Sequence, residues 1–191
     1  MTRGVGIALL ATALSAAAQP VAQRKEACFA CHGAKGTSST PLTPSLGGQP
    51  AFFVLAQLFL FREGRRDNVL MNAAAAGLTD AELQAFADLI AKMPPPPRPA
   101  EKPEIARVAR GRAIAEKERC ANCHNPDYSG RENMPRLANQ REDYLLKALR
   151  DYKKGVRTGY GMAVMPETVS GLNDQDLIDV AHFLAHFPRK P

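Results

Sequence analysis

Cys28-Phe29-Ala30-Cys31-His32 returns 92 positions later as Cys120-Ala121-Asn122-Cys123-His124, and the two copies use all four cysteines of the chain. Cys-x-x-Cys-His is the spacing of covalent c-type haem attachment: two thiols bond the edge of the macrocycle and the adjacent imidazole ligates the iron. The residues must be this close because one short helical turn presents both sulfurs and the ring to a single flat group. Cys28, Cys31, Cys120 and Cys123 are therefore read as attachment points for two c-type haems, with His32 and His124 as proximal iron ligands. A structural zinc site needs four ligands per metal, in two nearby Cys pairs or a Cys pair with a His pair. The long gap between these motifs does not resemble one. A redox dithiol of the thioredoxin kind needs a strand beside it, whereas the flanks here carry helical periodicity.

The 191-residue chain opens with Met1-Thr2-Arg3, an apolar stretch from Val5 to Leu14, and then Ser15-Ala16-Ala17-Ala18. One positive charge, a short apolar core and an Ala-x-Ala ending read as a cleavable signal peptide over residues 1–18. The core is well short of the roughly 20 residues that span a bilayer. No later stretch is long and apolar enough to cross a membrane. Export to the periplasm fits the motif, since thiols left free there tend to oxidise. Lys and Arg number 25 against 19 Asp and Glu, with most of the excess after residue 97. A modest basic bias points to an acidic partner or an anionic surface. The absence of a basic block and of an aromatic platform argues against nucleic acid.

Residues 19–27 leave room for a short helix into Cys28. A loop rich in Gly, Ser, Thr and Pro follows from Gly33 to Pro50. Ala51 to Arg62 reads as a helix with a broad apolar face, stopped by Gly64. A basic loop from Arg65 to Asn68 runs on to Met71. Thr79-Asp80-Ala81-Glu82 is a capping box that opens a helix through Leu83, Phe86, Leu89 and Ile90. Pro94 to Pro97, with Arg98 and Pro99, ends that helix and reads as a stiff polyproline spacer. The expected units are residues 19–93, a linker over 94–101, and residues 102–191. The second opens with a longer helix from Glu104 to Arg119 carrying Ile105, Val108, Ala109 and Ile114.

The second unit repeats the first. At an offset of 91, Pro44, Leu46, Gln49, Phe53, Leu55, Leu58, Phe61, Gly64 and Arg66 face Pro135, Leu137, Gln140, Tyr144, Leu146, Leu149, Tyr152, Gly155 and Arg157. Three extra residues then enter, and Met71 and Leu78 match Met165 and Leu172 at an offset of 94. The expected architecture is all-α, with two tandem units, each wrapped around a covalent haem. Each unit is small enough to need that apolar disc in its core.

The group opposite His decides what a haem does: an open position binds small molecules, whereas a His/Met pair exchanges electrons. In the first unit His32 is the only histidine, and Met93 abuts the proline run, so Met71 is the candidate. In the second unit Met134, Met162 and Met165 follow His124. Met165 is favoured because it lies seven residues before Leu172, as Met71 does before Leu78; Met162, the match at the earlier offset, is the alternate. His182 and His186 sit one helical turn apart and read as ordinary residues near a helix C-terminus.

Two Cys-x-x-Cys-His units, the Pro-x-Leu-x-x-Gln segments Pro44 to Gln49 and Pro135 to Gln140, and the Met segments before Leu78-Thr79-Asp80 and Leu172-Asn173-Asp174 resemble the dihaem class I cytochromes c of the cytochrome c-4 type. The resemblance covers nearly the whole chain after residue 18. It implies two class I domains in tandem and a periplasmic electron carrier serving membrane respiratory complexes. It also implies that Pro44 and Pro135 lie on the proximal side, where a backbone carbonyl orients each ligating His. The first unit lacks the glycine usual in the opening helix, which Gly111 supplies in the second, and has Leu89 where the closing helix often carries an aromatic, as at Phe183.

The leading functional expectation is single-electron transfer without substrate chemistry. The alternatives are a cytochrome subunit of a dehydrogenase, such as a flavocytochrome sulfide dehydrogenase, and a dihaem redox enzyme. Lys147, Arg150, Lys153, Lys154 and Arg157 mark a basic region near the second haem, read either as a dock for an acidic redox partner or as a solvated helix face. Arg66 and Arg157, following corresponding helices, read as counter-charges to haem propionates or as surface cations.

Overall fold

The computed structural model describes residues 21–158 and 164–188. The expected signal segment, residues 1–18, and Met162 lie outside them. Nine helices fall within the described residues: α1 Val21–His32, α2 Ala51–Arg62, α3 Val69–Ala75, α4 Asp80–Lys92, α5 Ile105–Lys117, α6 Cys120–His124, α7 Glu142–Lys153, α8 Val164–Ser170 and α9 Asp174–Ala185. Among the described residues the extended pairing amounts to one isolated bridge, Arg131 with Met134. No described helix is long and apolar enough to cross a membrane.

The order α1 to α4 is repeated by α5 to α9, with the attachment pentapeptide closing α1 in the first half and forming α6 in the second. The opening helix expected from Glu104 to Arg119 forms as α5. Arg119 adopts a left-handed backbone (φ 54°, ψ 35°), which a helix cannot continue through, and so parts α5 from α6. Met71 lies elsewhere than expected, on α3 rather than on a loop. The Asn68 carboxamide accepts the Met71 backbone N–H at 2.9 Å, and that N-cap opens the helix.

The closing helices start alike. Thr79 and Glu82 cap α4 reciprocally, the Thr79 N–H donating to the Glu82 carboxylate at 2.8 Å; Asn173 and Asp176 do the same for α9 at 2.9 Å. Both helices lie against the middle helix of their own half, α4 on α2 and α9 on α7. A shared core joins the halves: Phe29, Phe53, Val54, Ala87 and Ile90 pack in one cluster with Tyr152, Val169, Leu172 and Leu177. Smaller cores lie to either side, around Phe61, Leu83 and Phe86 in the first half and around Tyr128, Leu145 and Phe183 in the second.

The proline segment is docked on the first half. A Cβ on Gly47 would stand 2.1 Å from the Pro94 carbonyl oxygen, and one on Gly48 would stand 3.1 Å from Pro95 Cβ. Only glycines permit this approach of strap to loop.

The halves differ most at the opening helix. In the second, α5 crosses α9 at Gly111, where a Cβ would lie 2.1 Å from the Asp179 carbonyl oxygen and 2.7 Å from Phe183 Cβ. Buried Asp179 accepts from Arg110 Nε at 2.6 Å and from Gln175 at 3.1 Å. Its carboxyl is held below the usual value first by the Arg110 hydrogen bond. Helix α1 has no such crossing with α4 among the described residues. Arg24 ties it instead to Glu82, at 3.7 Å, and to the Ala76 carbonyl, at 3.4 Å. Ile105, at the start of α5, is 74% exposed.

His182 and His186 stand at the C-terminal end of α9, as expected, and both are buried. His182 Nδ1–H donates to the Glu142 carboxylate at 2.8 Å, and its Nε2 accepts the Glu104 backbone N–H at 3.0 Å. A nitrogen that accepts an N–H carries no proton, so this imidazole is neutral. Glu142, His182 and His186 lie together as a trio with metal-ligand chemistry. Both nitrogens of His182 are engaged, and the Glu142 carboxylate also accepts from Arg107 at 2.8 Å. The trio thus works as a polar clip between α5, α7 and α9.

Gly111→Ala is expected to cost about 1–3 kcal/mol, seen as a lower denaturant midpoint, because Asp179 and Phe183 must yield to the new methyl. The Asp179 contribution is complete above the ordinary carboxylate pKa of about 4 and is lost as pH falls through the lower folded value. The stability gap between wild type and Asp179→Asn should therefore narrow on acidification below roughly pH 4, as chemical denaturation across pH will register.

Candidate haem sites

His32 and His124 each end a helix and are each followed by a left-handed residue, Gly33 (φ 81°) or Asn125 (φ 69°), that turns the chain back beneath them. A Cβ on Gly33 would stand 2.0 Å from the Thr37 carbonyl oxygen, so the first turn requires glycine. Asn125 makes the same turn by fastening its carboxamide to Ser129 Oγ and to the Gly130 carbonyl. The returning loops bring the Pro44 carbonyl to 2.8 Å from His32 Nδ1 and the Pro135 carbonyl to 2.9 Å from His124 Nδ1. A carbonyl only accepts, so Nδ1 carries the proton and Nε2 keeps its lone pair. This is the second contact that orients a metal-binding imidazole. Burial pushes both histidines below their usual pKa, and the bond to the proline carbonyl opposes it in part. The ligand form, neutral imidazole, is thereby favoured.

Burial also pushes the Cys120 thiol up to about 11 and raises Cys28. Redox-active and zinc-bound dithiols need the opposite shift. The loops beneath are held by short polar links. Ser38 Oγ donates to the Cys31 carbonyl at 3.0 Å, and the His124 carbonyl accepts the Gly130 N–H at 3.0 Å.

The two methionines occupy equivalent helices. Helix α3 is pinned to the end of α2 by Asn72, whose amide donates to the Phe61 carbonyl at 2.7 Å and to the Arg66 carbonyl at 2.9 Å. Met71 and Cys28 pack against one cluster, that of Phe61, Ala75, Leu78, Leu83 and Phe86. Met165, on α8, packs against the shared core. Lys153 closes α8 by donating to the Ser170 carbonyl at 2.8 Å.

Where the halves meet, sequence reasoning missed most. Arg157 is 8% exposed and donates to the Gln57 amide oxygen at 3.2 Å; Arg66 donates to the same oxygen and to the Tyr144 hydroxyl at 3.2 Å. The guanidiniums lie over their own halves' aromatic rings, Arg66 over Phe61 and Arg157 over Tyr152. Burial alone would raise Tyr144, but the two guanidiniums outweigh it and bring the hydroxyl down to about 8. Gln57 Nε2, buried beside this pair of cations, has no protein partner. The burial of Arg157 excludes its reading as a surface cation.

Gln49 and Gln140 cross between the halves. Gln49 accepts the Arg136 N–H at 2.9 Å and donates to the Arg136 carbonyl at 3.0 Å. Gln140 accepts the Ser45 N–H at 2.8 Å and donates to the Ser45 carbonyl at 2.7 Å. Their repetition in the Pro-x-Leu-x-x-Gln segments was the signal; nothing local told which half each would reach.

The basic region on α7 is largely paired within the molecule: Lys147 with Asp151, Arg150 with Asp174, Lys153 with the end of α8, and Arg157 buried. Lys154 stays exposed.

Helical bundles built around paired Cys-x-x-Cys-His motifs define a dihaem c-type cytochrome. The cytochrome c family profile matches residues 108–188. A protein named thiosulfate dehydrogenase electron acceptor, from Thiomonas intermedia, is 34% identical over 92% of this chain and 84% of its own. Cytochrome c4 of Thiocapsa roseopersicina is 31% identical over 82% of this chain and 85% of its own. The solved structure of Acidithiobacillus ferrooxidans cytochrome c4 superposes with a TM-score of 0.76 at 28% identity, over 85% of this chain and 99% of that one. The chain belongs to the cytochrome c4 family, the dihaem electron-transfer cytochromes. Both expectations of fold, all-α and tandem class I domains, hold.

Proposed function

We propose that this chain takes single electrons from a dehydrogenase, in the manner its Thiomonas relative is named for, and delivers them to a membrane respiratory complex. Residues 1–18 are its export signal and the periplasm its place of work. Residues 19–93 and 102–191 are its two haem domains, and 94–101 the strap between them. Cys28 and Cys31 hold one haem and Cys120 and Cys123 the other. His32 with Met71, and His124 with Met165, would ligate the two irons, Met162 being the alternate in the second domain. The bound haems supply iron that alternates between ferrous and ferric states.

The observation that carries this reading is the pair of buried histidines whose Nδ1–H is tied to a proline carbonyl, leaving Nε2 as a fixed donor atom in each half. The chain's own residues fit the group. The thiols stand on the turn that ends in the ligating ring, and Arg66, Arg157 and the Gln57 Nε2 offer donors to propionates. A His/Met pair closes the iron to other ligands, which suits transfer of electrons rather than substrate chemistry. The dehydrogenase role is supported by the relative that covers most of both chains. Within the α7 region, exposed Lys154 is the cation offered to an acidic partner.

In the oxidised protein, Met71→Ala and Met165→Ala are each expected to remove about half of the far-red absorption that sulfur ligation gives ferric haem, lower one of the two potentials and open one haem to cyanide. Met162→Ala should leave the spectrum unchanged; the reverse result at 162 and 165 would move the ligand to the alternate. Lys154→Glu should slow reduction by a thiosulfate dehydrogenase at low salt, with the difference fading as salt rises, in stopped-flow traces.

A further inference from the structure

We infer that Gln49 and Gln140 are crossed positioning residues: each tunes, through one peptide group, the proximal ligand of the haem in the other domain. The inference rests on the assignment of His32 and His124 as haem ligands.

The geometry is a chain of two hydrogen bonds through a single amide. The peptide joining Pro44 to Ser45 accepts His32 Nδ1–H on its oxygen at 2.8 Å, and its N–H donates to Gln140 Oε1 at 2.8 Å. The peptide joining Pro135 to Arg136 accepts His124 Nδ1–H at 2.9 Å, and its N–H donates to Gln49 Oε1 at 2.9 Å. A peptide is a resonant, planar unit, so pulling on its N–H enriches its oxygen in negative charge. Hydrogen bonds in such a chain strengthen one another. A richer oxygen draws the imidazole proton harder and makes Nε2 a stronger donor to iron. The ferric state gains more from that than the ferrous, so each glutamine lowers the potential of the haem across the boundary.

Neither glutamine is replaceable by solvent. Gln49 is 5% exposed and Gln140 3%, and each also donates from Nε2 to the carbonyl of the residue it grips, which fixes its orientation. The residues gripped, Ser45 and Arg136, are themselves counterparts at the offset of 91, so the arrangement is a pseudo-twofold exchange.

The test uses the intact dihaem protein with Gln49→Met and Gln140→Met, which keep side-chain length and apolar volume while removing the amide. The readouts are the two midpoint potentials and, in ferrous 15N-histidine-labelled protein with sequential assignments, hydrogen exchange at His32 and His124 Nδ1. Gln49→Met is expected to raise the potential of the haem on His124 and speed exchange there about threefold to tenfold, leaving His32 unchanged. Gln140→Met should do the converse. Equal effects on both haems, an effect in the variant's own domain, or none at all would overturn the inference. If a Met variant fails to fold, Gln49→Glu and Gln140→Glu keep the acceptor. Each should then shift the opposite haem most, and downward; a larger shift in its own domain would overturn the inference as well. Ferric spectra separate the two layers. Without hyperfine shifts at His32 and His124 the ligand assignment itself fails; with them but without the crossed pattern, only the relay fails.

Discussion

A buried imidazole that is to bind iron must be neutral, and must present one chosen nitrogen. Both conditions are met by a single hydrogen bond, Nδ1–H to the carbonyl of Pro44 or Pro135. Much of each half is arranged to make that bond. The left-handed residue after the histidine reverses the chain, and a second left-handed residue, Gly48 or Asn139, lets the loop's end bind the last turn of the closing helix. There the Gly48 N–H reaches the Ile90 carbonyl at 3.2 Å and the Asn139 N–H the Leu184 carbonyl at 2.9 Å. Proline suits the position because it stiffens the approach while its carbonyl remains free to accept.

The repeat is not a copy. The second half has a glycine at its helix crossing, an aromatic against it, and a polar clip through His182; the first half has an uninterrupted helix held by Arg24. At the junction the partners are unlike as well. Gln57 and Tyr144 stand where the other half has Ala148 and Phe53, yet the two arginines they serve are equivalent.

What could be read in the chain followed from local rules. The pentapeptides, the Thr79 capping box, the apolar run of α2 and the register of the repeat all act over a few residues or by simple matching, and each appears in the fold. What escaped depends on tertiary context. Met71 is helical because Asn68 caps and Asn72 anchors a helix too short for periodicity to announce. Among the α7 cations, Lys147 pairs with Asp151 one turn along its own helix, within reach of a local rule, whereas the pairing of Arg150 with Asp174, at the start of another helix, needed the packed arrangement. His182 was legible as a residue near a helix C-terminus, but nothing in its neighbourhood foretold that the Glu104 N–H and the Glu142 carboxylate would both arrive there.

The proline strap, laid against Gly47 and Gly48, fixes where the second half begins relative to the first. Two fragments in dilute solution would have to find each other before Gln49 and Gln140 could exchange places. On one chain with a docked strap, that encounter is intramolecular, at an effective concentration in the millimolar range for a short tether. Contacts too weak to hold separate proteins together therefore suffice here. The boundary between the two halves can rest on a few directional hydrogen bonds beside the shared core.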